Sequence, residues 1–397
     1  MGPHPAVAAV RRAVRASLVG LEPGDLVLAA CSGGADSLAL AAALAFEAPR
    51  AGLLAGGVTV DHGLQPGSAV RAQQVAEIMT GLPLSPALSV AVTVAPPGGS
   101  GGSSRRDATP GLPSAPYPGP EAAARRARYA ALDGVAEVTG AVAVLLGHTL
   151  DDQAETVLLG LARGSGARSL AGMARSSGRY LRPLLGIRRE HTEAACAALG
   201  LEPWDDPQNF DPALTRARVR GQLMPALAEA LGPGVPEALA RTADLLRADA
   251  DALDAIAAAE ADKLGGPAAV LAAGWPAREL AGMPEAIRHR LLRLAALAAG
   301  CPAGTLSQRH VTSMDGLVTG WHGQRWTDLP GGVRCRRRYG RLLFTATGAA
   351  AAAGAPVVPG VVPPASTTGI PGFVPRASTT GASAAPQRDR RDPGGRE

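Results

Sequence analysis

The chain has 397 residues, with 39 Lys and Arg against 34 Asp and Glu, a net charge of +5 and a pI near 9.4. That length suits two domains plus non-globular segments and can bury a large core. Four scattered cysteines (Cys31, Cys196, Cys301, Cys335) with no C-x-x-C pair argue against a disulfide framework, a zinc site or an iron–sulfur cluster, and fit a reducing compartment. Arginine-rich composition with one lysine (Lys263) and one asparagine (Asn209) has the look of GC-rich coding, so the positive charge by itself only weakly favours nucleic acid. The N-terminus shows no signal-peptide apolar core and no uninterrupted apolar stretch reaches spanning length, which predicts a cytosolic protein without a membrane.

Residues 5–19 place Val7, Val10, Val14 and Leu18 at helical spacing with arginines opposite. The run LVLAACSGGADSLAL (26–40) then reads as a buried strand, a glycine turn and the start of a helix reaching about Ala48. Further apolar runs at 52–60, 88–94 and 141–147 alternate with helical patterns at 68–79, 120–138 and 151–163. Strands alternating with helices predict right-handed βαβ units and a parallel sheet covered on both faces, with ligands beyond the carboxyl ends of its strands. Residues 95–120, rich in Pro, Gly and Ser, read as a disordered insertion, a surface loop or a lid. A long helix is expected at 234–262, then a smaller, mainly helical domain over 263–348 ending in a basic, β-prone segment (333–344). From Ala349 the composition, with VVPPASTTG and FVPRASTTG repeating twelve residues apart, predicts a disordered tail.

The turn Ser32-Gly33-Gly34-Ala35-Asp36-Ser37 is the first chemical feature. A glycine turn opening a helix offers backbone N–H groups and the helix dipole to an anion, Ser32 and Ser37 add hydroxyls, and Asp36 can hold a divalent cation on a polyphosphate. The other reading is an ordinary Gly-Gly turn with a Ser/Asp helix cap. Asp61-His62, at the end of a strand, can meet nucleotide or metal, or be structural. Asp152 and Glu155, three apart at the start of a helix, form a paired acidic site for an ammonium group or a metal; capping and dipole complementarity are the alternative. Arg125 and Arg128 share a helical face and can clamp a carboxylate or phosphate. Asn209 and then Arg216, Arg218 and Arg220 follow in a polar loop and the turns after it, suited to substrate or RNA phosphates or to a plain solvated face.

Taken together, these segments resemble the tRNA(Ile)-lysidine synthases of the N-type ATP pyrophosphatase (PP-loop) superfamily. Ser32–Ser37 matches SGGxDS, and VDHGL (60–64), Glu121–Tyr129, DDQAETVLLGLARGSGARSLAGM (151–173), RPLLGIRRE (182–190) and W-x-x-D-P-x-N with the arginines after it (204–220) follow in order. Gln65, the Gly147-His148-Thr149 run and Ala217 depart from the pattern. The resemblance implies an α/β fold with a doubly wound parallel sheet of the adenine nucleotide alpha hydrolase type. It divides the chain into a catalytic domain (1–228), a linker helix (229–262) and a tRNA-binding domain (263–348). It implies ATP and Mg²⁺ as cofactors, with Ser32, Gly33, Gly34, Ala35, Asp36, Ser37, Asp61 and His62 at the nucleotide and Asp36 at the metal.

The implied reaction adenylates C2–O of the wobble cytidine of a CAU anticodon, then joins the ε-amine of free L-lysine to C2. Asp152 and Glu155 would hold the ammonium and Arg128 the carboxylate, with Asn209, Arg216 and Arg220 completing the lysine and tRNA site. Asp36, Arg128, Asp152 and Glu155 are the expected catalytic set. Arg334, Arg336, Arg337, Arg338 and Arg341 would dock tRNA. A second copy of the chain is left open as a partner. Two rivals remain. A tRNA 2-thiolating relative would need the paired cysteines this chain lacks, and a non-catalytic adenine-nucleotide module would have no use for the acidic pair, Arg128 and the Asn209 loop together.

Overall fold

The computed structural model describes residues 2–61, 63, 65, 67–92, 120–164 and 166–346, with backbone alone at 120–122. Helix α1 (Pro5–Ser17) buries Val7, Val10 and Val14, the valines spaced for one face. Strand β1 (Leu26–Ala30) follows, then α2 (Ala35–Glu47), β2 (Leu54–Asp61), α3 (Ser68–Gly81), β3 (Ala87–Ala91), α4 (Pro120–Thr139), β4 (Ala143–Leu146) and α5 (Leu150–Ala162). After these come α6 (Ala167–Leu170), β5 (Ser176–Ser177), β6 (Tyr180–Leu181), α7 (Arg189–Leu199), α8 (Thr215–Arg218), α9 (Met224–Leu231) and α10 (Val235–Lys263).

The six-stranded sheet has the order β3-β2-β1-β4-β6-β5, parallel except for the β5–β6 pair. Strand β1 is apolar throughout because both of its faces are covered. Val27 and Ala29 pack with α1, α2, α3 and α7, while Leu28 packs with Leu132 and Ala136 of α4 and with Val58 and Val144. The β2 strand carries Gly56 because a Cβ there would lie 2.6 Å from Leu28 Cδ2 and 3.0 Å from the Pro86 carbonyl oxygen. Winding runs outward from β1 through β2 to β3, then returns to place β4 on β1's other side. This reversal opens a crevice between the carboxyl ends of β1 and β4. The register pairs Ala30 with Leu146, so the residues after both strands emerge level with each other.

Helix α10 packs on α5 and α6 at one end and reaches the second core at the other. That core is built on α11 (Gly266–Ala272), β7 (Trp275–Pro276), α12 (Ala277–Ala281), α13 (Glu285–Ala298), α14 (Gln308–Thr319), β8 (Thr327–Leu329), β9 (Val333–Arg338) and β10 (Arg341–Ala346). The described part of this region carries four helices, in keeping with the expected helical character, and the segment expected to be β-prone (333–344) supplies β9 and most of β10 in an antiparallel sheet of order β7-β10-β9-β8. Its two short outer strands carry no alternation long enough to read in sequence. The segment read as an insertion lies outside the described residues except for Pro120, which begins α4, and the segment read as a tail (349–397) lies outside them entirely. Among the described residues no helix is long and apolar enough to cross a membrane.

The Gly56 contacts have a measurable consequence. Gly56→Ala forces Leu28 or the Pro86 backbone to move, and overpacking of this kind costs about 1–3 kcal/mol; urea unfolding should show a lower midpoint with an unchanged m-value.

Candidate active site

The Ser32–Ser37 turn is built by its own side chains. Gly33 sits at φ +87°, where a Cβ would also press to 2.8 Å from Val75 Cγ2. The Ser37 hydroxyl donates to the Gly34 carbonyl at 2.9 Å and accepts from the Ser32 N–H at 3.0 Å. Ser37 thus holds the turn and is buried, while Ser32 is the exposed hydroxyl. Gly34 caps α2 without a side-chain bond, which leaves the first N–H groups of the helix without an intrahelical partner and open to an anion. Gly147, ending the β4 side, fits because a Cβ there would lie 3.1 Å from the Asp36 carbonyl and the Ser37 nitrogen. The Trp204 N–H donates to the Gly33 carbonyl at 2.9 Å, and the Arg71 guanidinium lies 3.1 Å over the Trp204 ring. Gln65, a departure from the family pattern, donates to Asp206 Oδ1 at 3.0 Å and so fastens the same loop.

Thr149 caps α5 in a capping box with Asp152, whose Oδ2 accepts the Thr149 N–H at 2.9 Å. The capping alternative is thus true of one Asp152 oxygen. The other oxygen takes the Arg189 Nη2 at 2.9 Å and the Arg220 Nη2 at 3.1 Å. Glu155, 1% exposed, accepts from Arg220 Nε at 2.7 Å and lies 3.1 Å from Arg216 Nε, an ion pair without hydrogen-bond geometry. Arg216 Nη2 donates to Thr156 Oγ1 at 2.9 Å. Across the crevice, Arg189 Nε donates to Asp36 Oδ2 at 3.2 Å, and the Thr192 hydroxyl donates to Asp36 Oδ1. The acidic pair expected from sequence is accordingly a charge-balanced cluster of Asp36, Asp152 and Glu155 with Arg189, Arg216 and Arg220. The guanidiniums come from 34 or more residues further along the chain, a distance no local spacing reveals.

Burial pushes the Asp36 carboxyl up despite Arg189 and Thr192. Burial also pushes Asp152 up, but Arg189, the Thr149 N–H and Arg220 outweigh it and hold the carboxyl below its usual range. Burial lowers His148 to about 4, with Arg182, Arg125 and Arg216 adding to the effect and Asp152 opposing it. Its Nδ1 is buried without a hydrogen-bond partner among the described residues.

Other predicted residues fall less close. Arg128 lies exposed on α4, whereas the α4 arginine whose charge acts on His148 is Arg125. Asn209 is exposed in the turn at Pro207–Phe210, with no described side-chain bond to the cluster. Asp61 accepts from the Gly63 N–H at 2.9 Å, and His62 lies outside the described residues. Arg220 falls in a π turn (Val219–Leu223) between α8 and α9, an irregularity common at functional positions. Sequence reasoning missed Arg189 and Thr192. A signal existed: Arg188 and Arg189 stand at the start of α7, where the helix dipole disfavours cations unless carboxylates compensate. Asp151 accepts from Arg188 Nε at 3.1 Å and from the Arg189 N–H at 2.7 Å.

Comparison with known proteins decides the family. A PP-loop domain model matches residues 10–227 and a TilS substrate binding domain model matches residues 276–343. The tRNA(Ile)-lysidine synthase of Thermobifida fusca is 58% identical, over 87% of this chain and 99% of that protein. The chain belongs to the tRNA(Ile)-lysidine synthase family. The lysidine synthase of Streptomyces coelicolor is 52% identical over 87% of this chain and 99% of its own length. Among solved structures, a U34-tRNA thiolase of Methanococcus maripaludis with a [4Fe-4S] cluster is similar at TM-score 0.47 and 18% identity, covering 61% of this chain and 80% of that one. The lysidine synthase match spans both cores, so the cluster and the second sheet belong to one family assignment.

His148 gives a pH prediction. Its folded pKa of about 4 lies below the ordinary 6.5, so the unfolded chain binds the extra proton between these values. Stability therefore rises with pH across that window and falls as pH drops from 6.5 toward 4. His148→Asn should flatten the fall; urea unfolding of both proteins at pH 7 and pH 5 reads it.

Proposed function

We propose that this chain ligates free L-lysine to C2 of the wobble cytidine of tRNA(Ile) with a CAU anticodon, using ATP as substrate at the β1–β4 crevice. The observation that carries the reading is the cluster itself: an anion-binding turn and a carboxylate–guanidinium network meet at the one crevice where β1 and β4 end level.

In the first step the C2 oxygen attacks the α-phosphorus, the bond to pyrophosphate breaks, and AMP is left on the base. The backbone N–H groups of Gly34 and Ala35, with the Ser32 hydroxyl, meet the charge that grows on the departing group. In the second step the lysine ε-amine attacks C2, loses a proton, and AMP leaves. Asp152 and Glu155 bind the lysine ammonium, their carboxylates being shared between it and the guanidiniums of Arg220 and Arg216. A carboxylate of this pair takes the proton from the attacking amine. Arg128 on α4 is assigned the lysine carboxylate, and Asn209 closes the pocket.

The donor set fits Mg²⁺ carried on the triphosphate. No described group of three or more His, Cys, Asp and Glu could hold a metal by itself, but a phosphate-bound ion needs only one or two carboxylates, and Asp36 stands at the second position of the helix that opens at the Ser32–Ser37 turn. Asp36 would hold the ion, which would neutralise phosphate charge. The domain division follows the same reading, with 1–228 catalytic, 229–262 a linker helix and 263–348 docking tRNA.

Incubating the protein with CAU-anticodon tRNA, ATP and labelled lysine should place the label in a nucleoside whose mass equals cytidine plus lysine less water. Pyrophosphate release should require tRNA, and EDTA should abolish it. Glu155→Gln should raise lysine KM or lower turnover at least about a hundredfold, the scale expected for losing a proton acceptor. Full turnover at unchanged lysine KM would remove Glu155 from the mechanism.

A further inference from the structure

The second sheet sorts its arginines into two kinds. Arg337 donates to the Leu317 and Val318 carbonyls at 3.2 and 3.1 Å, capping the end of α14. Arg341 donates to Ala273 and Gly274 at 2.7 and 2.6 Å, capping α11. These two are structural, which narrows the docking surface expected from the sequence. Alternation along β9 puts Val333 and Cys335 in the core and Arg334, Arg336 and Arg338 on the opposite face.

Two aromatic rings stand at the ends of that arginine row. Trp326 is 43% exposed even though the Arg334 guanidinium lies 4.4 Å over its ring, and Asp328 fixes Arg334 at 2.7 Å. Tyr339 is 85% exposed at the tip of the β9–β10 hairpin, with Arg338 4.7 Å over its ring. Its φ of +51° is a conformation that turns normally give to Asn or Gly, so an aromatic there carries backbone strain that no packing repays. Between the rings, Arg336 Nε is buried with no hydrogen-bond partner among the described residues. In a chain that is only 3% aromatic, two open rings flanking three arginines on one sheet face need an occupant.

We propose that this face, from Trp326 through Arg334, Arg336 and Arg338 to Tyr339, is a stacking site for unpaired nucleobases of RNA, deepening the reading that this domain docks tRNA and resting on it. Flat rings backed by guanidiniums accept base faces, and the arginine row meets the phosphates between them. The rings are backed by different arginines, Arg334 and Arg338, which are four residues apart and about 13 Å along the strand. They hold two bases in separate places rather than one base between them.

The test uses the full chain and an unmodified CAU-anticodon tRNA transcript, with affinity measured at several salt concentrations. Trp326→Ala and Tyr339→Asn should each weaken binding about tenfold or more while leaving the salt slope unchanged. Arg336→Gln should reduce the slope by about one. Tyr339→Asn relieves the strained turn, so it should melt no lower than the parent, and a loss of affinity cannot then be misfolding. Oligouridine should compete for the face and a blunt RNA duplex should not. Variants that bind within twofold of the parent, or a duplex that competes as well as oligouridine, overturn the stacking site. Should the parent make no lysidine while the variants still lose RNA, the face stands and the functional reading falls. Should lysidine form and the variants bind normally, the face alone falls.

Discussion

The bridge that Arg189 makes between Asp36 and Asp152 is the interaction on which the catalytic half depends. Asp36 follows β1 and Asp152 follows β4, the two strands on either side of the winding reversal, and both carboxylates are taken out of water by the packing above them. Two such charges side by side would repel and pay heavily for desolvation. One guanidinium, delivered by α7 from the same face of the sheet, meets both. Breaking a buried pair by removing one partner costs about 3–5 kcal/mol. Arg216 and Arg220 do the same for Glu155, so the cluster is neutral as a unit and sensitive to any charge brought into it.

That balance also suits the proposed reaction between a polyphosphate and an amino acid. On the proposed reading, a triphosphate at the Ser32–Ser37 turn would compete with Asp36 for Arg189, and an ammonium would compete with Arg220 for Glu155. Each ligand thus exchanges one ion pair for another and needs no empty charged pocket, which would be costly to fold. Thr149 shows the same economy: the residue that departs from the family pattern closes the capping box that orients Asp152.

Much of the fold was legible because its signals are local. The apolar run of β1, the valine spacing of α1 and the glycine turn before α2 each declare themselves within a dozen residues, and the alternation of strands and helices implies a parallel sheet. The rim position of the Ser32 turn and of His148–Glu155 followed from that topology. What could not be read was pairing at a distance. Nothing near Asp152 shows that Arg189 and Arg220 lie against it, and nothing near Ser37 shows that its hydroxyl turns inward. The role of Arg337 as a cap rather than a surface charge depends on where α14 ends, which its own neighbours do not reveal. Composition misled in one respect: in an arginine-rich chain the guanidiniums that matter are indistinguishable from the rest until carboxylates are placed beside them.

The wide turn at Val219–Leu223 has one more consequence. A π turn accommodates a residue more than an α-helix would, and removing that residue would rotate everything on one side of it by about 100° against the other. Arg216 and Arg220 straddle its beginning, while α9 continues beyond its end. Natural variation should therefore be free to exchange the side chains of this stretch other than Arg220 but not to shorten it, so that around Arg220 chain length, more than chemical identity, is the inherited quantity.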